Sequence, residues 1–421
     1  MKTEASTAAK PGARTASVTL LVGLLVLSIF INYIDRSNLS VAAPIIEKEL
    51  SFSPVQMGWL FSAFFWTYST LQLIGFSGWL SDRFPVGKVF AVGFALWSGA
   101  TLGTGFLSGF TALFAMRLLL GAGESLAYPC YSRILASDVP QQKRGRANAL
   151  LDAGSKLGPA LGTFLGGLFL SRYGWRIFFI GLGALSLLWL VPWLRYTSGA
   201  TNIVDGERPV LPPAKRMFRL RSAWGAFAGH FFANYFWFFL LTWLPSYLVK
   251  ERGFSMQHMA NVGSLAYLMM AVATLCAGWI SDQLIARGVS TTKVRKRVVV
   301  SGLLCSTVIL PVAYAEDPRV FVVLLLLSCM SFGVYTSNHW AITQTLAGPL
   351  MAGRWTSVQN GIGNYSGIVA SWLTGVLVQQ TGSFRLAFCV AAAFAVIAAV
   401  MWGVVVGPVR EVDWGSVNDA A

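Results

Sequence analysis

Charge is what this chain has least of. Of its 421 residues only 12% are charged, seventeen of them acidic, and three more are histidines. A water-soluble domain carries about twice that share, so an ordinary soluble core is excluded and lipid becomes the natural solvent. Cysteine is sparse and unpaired. Cys130, Cys276, Cys305, Cys329 and Cys389 each stand alone in an apolar stretch, which argues against a disulfide framework and for small hydrophobes in helix packing. The apolar runs lack the period-two alternation of strands, which excludes a membrane barrel. There is no nucleotide-binding loop, no metal-ligand cluster and no nucleophile spaced with a base, so no enzyme, metal or cofactor is expected. Gly158, Gly162, Gly166 and Gly167 have the spacing of helices approaching closely in lipid rather than of a phosphate cradle.

What is present is hydrophobic: 55% of residues, with sixteen tryptophans. Apolar runs recur at 18–34, 89–106, 182–194, 231–248, 262–280, 320–334 and 387–406. Counting runs broken by a few polar residues gives twelve expected helical spans, each near the ~20 residues needed to cross hydrocarbon. The basic segment before the first run superficially resembles a secretion signal. No small-residue cleavage site follows it, and the apolar pattern continues through Asn32-Tyr33-Ile34-Asp35-Arg36 into Val41-Ala42-Ala43, so it is expected to remain as a tail.

The formal net charge of +15 raises the question of a nucleic-acid partner, which the position of each cation answers. With the N-terminus placed in the cytoplasm, 21 of the 32 Lys and Arg fall in cytoplasmic segments, for example Arg295, Lys296 and Arg297. External segments hold 7 (Lys48, Arg172, Arg176, Lys250, Arg252, Arg319, Arg385), and 4 (Arg36, Arg117, Arg133, Lys156) lie within spans. This is the positive-inside bias. It predicts both termini in the cytoplasm, an inner-membrane location and no nucleic-acid partner.

The chain repeats itself. Gly78-Trp79-Leu80-Ser81-Asp82 returns as Gly278-Trp279-Ile280-Ser281-Asp282, 200 residues later, and Arg176 and Phe179 return as Arg385 and Phe388, both 209 residues later. A duplicated six-span unit follows. Hydropathy collapses between Tyr196 and Arg221. The expected organisation is therefore a tail at 1–16, a six-helix bundle at 17–196, a cytoplasmic linker at 197–221, a second bundle at 222–406 and a tail at 407–421.

A charge inside a span costs roughly 2.5 to 3.5 kcal/mol on insertion scales, so each one kept marks a candidate function. Tyr33 and Arg36 are three apart and share a helix face, while Asp35 points about 100° away. Arg117 and Glu124 are two turns apart on one face at roughly 10 Å, in a stripe that Tyr128 and Tyr131 extend. A guanidinium offers a fixed fork of donors and keeps its charge in a dry site, so Arg36 and Arg117 read as an anion clamp. The alternative is that Asp35 with Arg36 and Glu124 with Arg117 are ion pairs that merely stitch helices together. Asp152 and Lys156 are spaced i, i+4, which suits a self-neutralising pair, with Ser155 beside them and Asn360 and Asn364 as counterparts 208 residues on. His230 could donate to a hydroxyl or carry a proton, or could simply pack.

Two six-helix halves with an acidic-glycine motif after the second span of each resemble the major facilitator superfamily. Gly78, Asp82 and Arg83 match its signature loop, with Pro85 replacing a glycine; in the second half Asp282 remains and Gln283 replaces the arginine. The resemblance makes these residues gating-loop candidates. The run from Arg117 to Pro129, taken with Asn32-Tyr33-Ile34-Asp35-Arg36, is similar to the anion:cation symporter family, which includes bacterial sugar-acid permeases and animal sialin. That similarity implies that Arg36 and Arg117 meet a substrate carboxylate, that Asp35 and Glu124 carry protons, and that Tyr33, Tyr68, Trp340 and Asn360 line the site. His230 departs from the Gly-Gln-Phe often found there.

The expected function is inward symport of a small organic anion, a sugar acid above all, with protons, by a monomer in the lipid bilayer. In the expected cycle the anion competes with Glu124 for Arg117. Other monocarboxylates or aromatic acids, a proton-antiport exporter and a membrane anion sensor are the alternatives.

Overall fold

The structure, a computed structural model, describes residues 11–139, 141–197 and 213–414. Among these residues it is all-helical, and the helices make twelve spans. Spans one to six are α1 (Pro11–Leu50); α2 (Pro54–Leu73) with α3 (Phe76–Arg83); α4 (Val86–Thr104); α5 (Phe110–Ser125) with α6 (Ala127–Asp138); and α7 (Gln141–Leu188), which turns at Gly174 to give spans five and six and continues as α8 (Leu190–Thr197). Spans seven to twelve are α9 (Arg221–Lys250); α10 (Met256–Ala286); α11 (Thr291–Ser306) with the short α12 (Ile309–Val312); α13 (Pro318–Thr336) with the start of α14 (His339–Thr381); the rest of α14 beyond Gly348; and α15 (Arg385–Val400), which ends in a π turn.

Local chemistry sets the boundaries. Ser53 and Gln56 form a reciprocal capping box with Pro54 at the first helical position of α2, and Asp317 caps α13 ahead of Pro318. Both chain reversals inside the long helices fall on glycine at positive φ, Gly174 at 76° and Gly348 at 62°, where a side chain would strain the backbone.

The helix α1 is described from Pro11, with its apolar span at Val18–Leu50, and α9 begins at Arg221. The linker expected at 197–221 falls mainly on 198–212, outside the described residues, as do 1–10 and 415–421 of the expected tails. What is described ahead of α9 is a short 3-10 turn, Ala214–Arg219.

The expected glycine stripe is a packing seam. A Cβ added at Gly158 would lie 2.7 Å from Tyr33 Cβ, and one at Gly162 3.0 Å from Ser37 Oγ, so span five rests directly on span one. The arrangement presses Tyr33 and its neighbours toward the molecular axis. Cys130 and Cys329 are buried, and all five cysteines are free.

The two halves meet along α1 against α9, α2 against the long second part of α14, and α7 against α10. They are in contact at the end that carries residues 50–54 and 251–255. There Lys250 pairs with Glu47, Val55 N donates to Gln379 Oε1 at 3.3 Å, and Phe61 and Phe65 meet Trp243 and Phe238 at 5.1 and 4.5 Å between ring centres. Deeper in, Thr70 bonds Tyr365 at 3.0 Å and Asn360 donates to Gln72 at 3.4 Å. On the surfaces that face one another beyond this level, Tyr128 is exposed and Lys156 and Trp340 are half-buried. The side chains of Tyr128, Lys156 and Trp340 mark the gap between the halves at this level.

Candidate functional site

Span four is broken at Leu126, between α5 and α6, just after Glu124. Span one crosses this break and brings Arg36 onto it. Arg36 Nε donates to Glu124 Oε2 at 2.8 Å, with both side chains buried. The guanidinium also lies over three rings, 4.5 Å from Tyr68, 4.8 Å from Tyr33 and 5.1 Å from Phe64, an arrangement in which ring faces help hold a desolvated cation.

Arg117 stands beside them, 5.5 Å from the Phe64 ring and 5% exposed. Its Nε and Nη1 are buried and have no hydrogen-bond partner, and the same holds for Nη2 of Arg36, Oε1 of Glu124 and Oδ2 of Asp35. Each unpaired buried polar group costs on the order of 1 to 3 kcal/mol, more when charged. The arrangement is thus under-satisfied in donors, which is what a site for an anionic ligand requires.

The geometry shows neither of the two pairings weighed as the alternative, one of which, Glu124 with Arg117, the expected cycle also used. Glu124 pairs with Arg36 and not with Arg117. Two residues seven apart on one helix sit roughly 10 Å from each other, beyond ion-pair reach, whereas Arg36 arrives from a different helix. Asp35 does not pair with Arg36 either. It turns into its own half, where Thr101 of α4 donates to Oδ1 at 3.0 Å and Asn38 at 3.3 Å. The competition expected between a ligand and Glu124 for Arg117 therefore becomes a competition for Arg36.

Tyr33 and Tyr128 share a hydrogen bond at 3.0 Å between their hydroxyls, and Tyr131 bonds Ser28 at 2.9 Å. Tyr128 thus faces the gap while Tyr131 is spent on packing.

The second half presents no charge at this level. His230 of α9 stacks on His339 at 5.1 Å, and Trp340 leans on both, 4.9 and 4.8 Å away. Asn234, one turn beyond His230, lies 3.2 Å from its Nε2 through Nδ2. Asn360 reaches across to Gln72, while Asn364 donates to the carbonyl of Asn360 within its own helix at 2.7 Å. Ser155 likewise spends its proton on the carbonyl of Asp152 at 2.7 Å. Lys156 and Asp152 pair at 3.2 Å along one helix face, as their spacing predicts.

The gating-loop candidates lie on α3 and toward the end of α10. Gly78 sits in α3 with open space where a Cβ would be, and Arg83 is exposed at the end of the same helix. Asp282 is 3.6 Å from Arg295; the side chain of Asp82 falls outside the described residues. In both halves the loop is tied back to its own bundle, by Arg133 donating to the Ser81 carbonyl and by Asn338 donating to Ser281 at 2.9 Å.

Sequence reasoning missed His339, Asn234, Gln72 and Thr101. Asn234 was legible as the residue four beyond His230. The other three sit in apolar helices with nothing local to distinguish them.

The model of the Major Facilitator Superfamily matches residues 25–371. Among curated proteins the chain is 31% identical to a D-galactonate transporter of Escherichia coli O6:H1, over 96% of this chain and 98% of that one. It is 30% identical to a probable galactarate/D-glucarate transporter of Escherichia coli strain K12, over 96% and 97%. Among solved structures, a bacterial homologue of the human lysosomal transporter Spinster, captured inward-facing and unoccupied, superposes with a TM-score of 0.80 at 18% identity, covering 95% of this chain and 98% of that one. Twelve spans in two repeated halves, a buried arginine site inside the first half and these matches agree: the chain belongs to the Major Facilitator Superfamily and is a multi-pass membrane transporter.

Proposed function

We propose that this protein is a proton-coupled symporter that brings a sugar acid across the bacterial inner membrane by alternating access, with both termini in the cytoplasm. The single observation that carries the reading is the Arg36–Glu124 ion pair with unpartnered donors of Arg117 beside it. The substrate class is supported by relatives named for D-galactonate and for galactarate and D-glucarate. The orientation is supported by the excess of Lys and Arg in the segments assigned to the cytoplasm.

A carboxylate entering the gap has two oxygens to share, and Arg117 offers two buried donors with nothing to meet them. Binding there brings the anion against Arg36, which holds Glu124 by a single bond. As the ligand takes Arg36, Glu124 loses its cation in a buried setting, and protonation becomes the less costly state. Anion and proton are then carried together, and the proton gradient drives accumulation. Asp35 is a second proton carrier in this scheme, held apart by Thr101 and Asn38. The loops at Gly78, Asp82, Arg83 and Asp282 act as a latch at the inner end in this scheme.

Uptake of labelled D-galactonate into proteoliposomes under an imposed pH gradient tests the reading. The wild type should accumulate the acid, and Glu124→Gln should exchange it without accumulating it. Uphill accumulation by the glutamine variant would remove Glu124 from the coupling step.

A further inference from the structure

Lys156 is a cation inside a span that the arginine site and the proton scheme leave unused. A charge kept there is costly, so its position asks for a ligand or a partner. Its neighbours along the helix show where it points. Positions 156, 163 and 167 follow one another by two turns and by one, and so share a face of span five. That face is turned toward the second half. A Cβ added at Gly263 of α10 would lie 3.1 Å from Thr163, and one added at Gly167 would lie 2.5 Å from Ala260 of α10. Two turns before Thr163, on the same face, the Lys156 side chain is 26% exposed in the gap. It lies within electrostatic range of the His339 ring in the second half and of the Tyr33 hydroxyl in the first.

The facing helices supply it with no counter-charge. α9, α10 and α14 contain one carboxylate among them, Asp282, which sits 3.6 Å from Arg295. Lys156 pairs instead with Asp152 on its own helix, at 3.2 Å, and the Asp152 side chain is 60% exposed. A pair of that spacing and exposure is weak, and an ammonium on a flexible stem readily exchanges one carboxylate for another. Tyr33 connects this ammonium with the arginine site. The Arg36 guanidinium lies 4.8 Å from the centre of the Tyr33 ring, and span five crosses the same residue at Gly158, two positions beyond Lys156. The first half thus offers two separate cationic points, of which an anion with a single charge can use only one.

We infer that Lys156 receives a second anionic group of the substrate, so that the protein selects dicarboxylic sugar acids over monocarboxylic acids of the same carbon chain. This rests on the proposed transport of sugar acids and deepens it. Arg117 and Arg36 take one carboxylate, and Lys156 takes the carboxylate at the other end. Asp152 holds the ammonium while the gap is empty and returns to water when the substrate's carboxylate replaces it. Charge is then counted entirely within the first half, and only neutral contacts are left to the second.

Galactarate and galactonate make a matched pair for the test, alike except that the terminal carbon is a carboxylate in the first and a hydroxymethyl group in the second. Each is used to displace labelled D-galactonate from purified protein near pH 7, where both carboxyls of galactarate are ionised. Wild type should be displaced by galactarate at about tenfold lower concentration than by galactonate, the effect of one added charge-assisted contact. In Lys156→Gln that preference should fall to about unity, and in Lys156→Arg, which keeps the charge, it should persist. Melting temperature in detergent identifies the folded variants, and Lys156→Met serves where the glutamine variant does not fold. A folded neutral variant that keeps the wild-type preference overturns the inference. So does a wild type that binds galactonate and takes galactarate no better. If wild type binds neither acid, the sugar-acid reading itself fails, and that outcome is seen before Lys156 is changed.

Discussion

The two halves of this transporter share a fold and differ in chemistry. Each has six spans, each has a short irregularity in the helix of its fourth span, at Leu126 and at Ser337–Asn338, and each ties the loop after its second span back to its own bundle. Yet the first half carries Arg36, Arg117, Asp35 and Glu124 in its interior, whereas α9 has no Asp, Glu, Lys or Arg between Arg221 and Lys250, and the tenth span has none between Arg319 and Arg354. In place of charge the second half has two imidazoles, an indole and amides. Under the proposed function the difference assigns coupling to the first half and recognition to the second, two tasks with opposite demands. Coupling to protons needs a group whose charge changes and a cation that notices the change. Recognition needs neutral donors and acceptors fixed in place, because a permanent charge would bind any counter-ion.

The comparison can be broken by measurement. Arg117→Ala should produce the largest loss, on the order of 100-fold or more in galactonate affinity measured by thermal shift or calorimetry, since it leaves the anion without its charged partner. A neutral residue of the second half with an equal effect would erase the division of labour. Next, Glu124→Gln should leave counterflow intact and flatten the pH dependence of net uptake, with accumulation falling to equilibration. Asn360→Ala and Asn234→Ala should be milder. Each is expected to raise KM by about three- to tenfold with the proton requirement unchanged, and a changed proton requirement would show that the second half takes part in coupling. The smallest effect belongs to an ion pair between the halves. Glu47→Gln weakens the pairing with Lys250, worth at most about 1 kcal/mol for a partly exposed pair. Distances between spin labels at positions 52 and 254 should report a several-fold shift toward the state open at that end.

Much of the site was legible in the chain because charge in an apolar helix is conspicuous. Arg36, Arg117, Glu124 and Asp35 stand out in hydrophobic runs, and the structure gathers three of them at one break. Ser155 and Asn364 were equally visible as polar residues in a glycine-rich span and its repeat, but both donate to their own helices. A hydroxyl or amide in a helix has a backbone carbonyl within reach, and sequence does not show whether the side chain takes it. His339 was hidden for the opposite reason: it lies next to Trp340 in an apolar stretch, and only the tertiary structure stacks it on His230, more than a hundred residues away.

By itself the amino-acid order determined the twelve spans, their duplication and the direction in which their charges lean. Those properties depend on local hydropathy and on the cost of placing each residue in hydrocarbon, both of which are sums over neighbours in sequence. Only the tertiary structure decided that Glu124 answers to Arg36, 88 residues away, while Arg117 on the same helix keeps its donors free. Pairing in a low-dielectric interior depends on approaches of a few ångströms between separate helices, and no spacing along one helix encodes them.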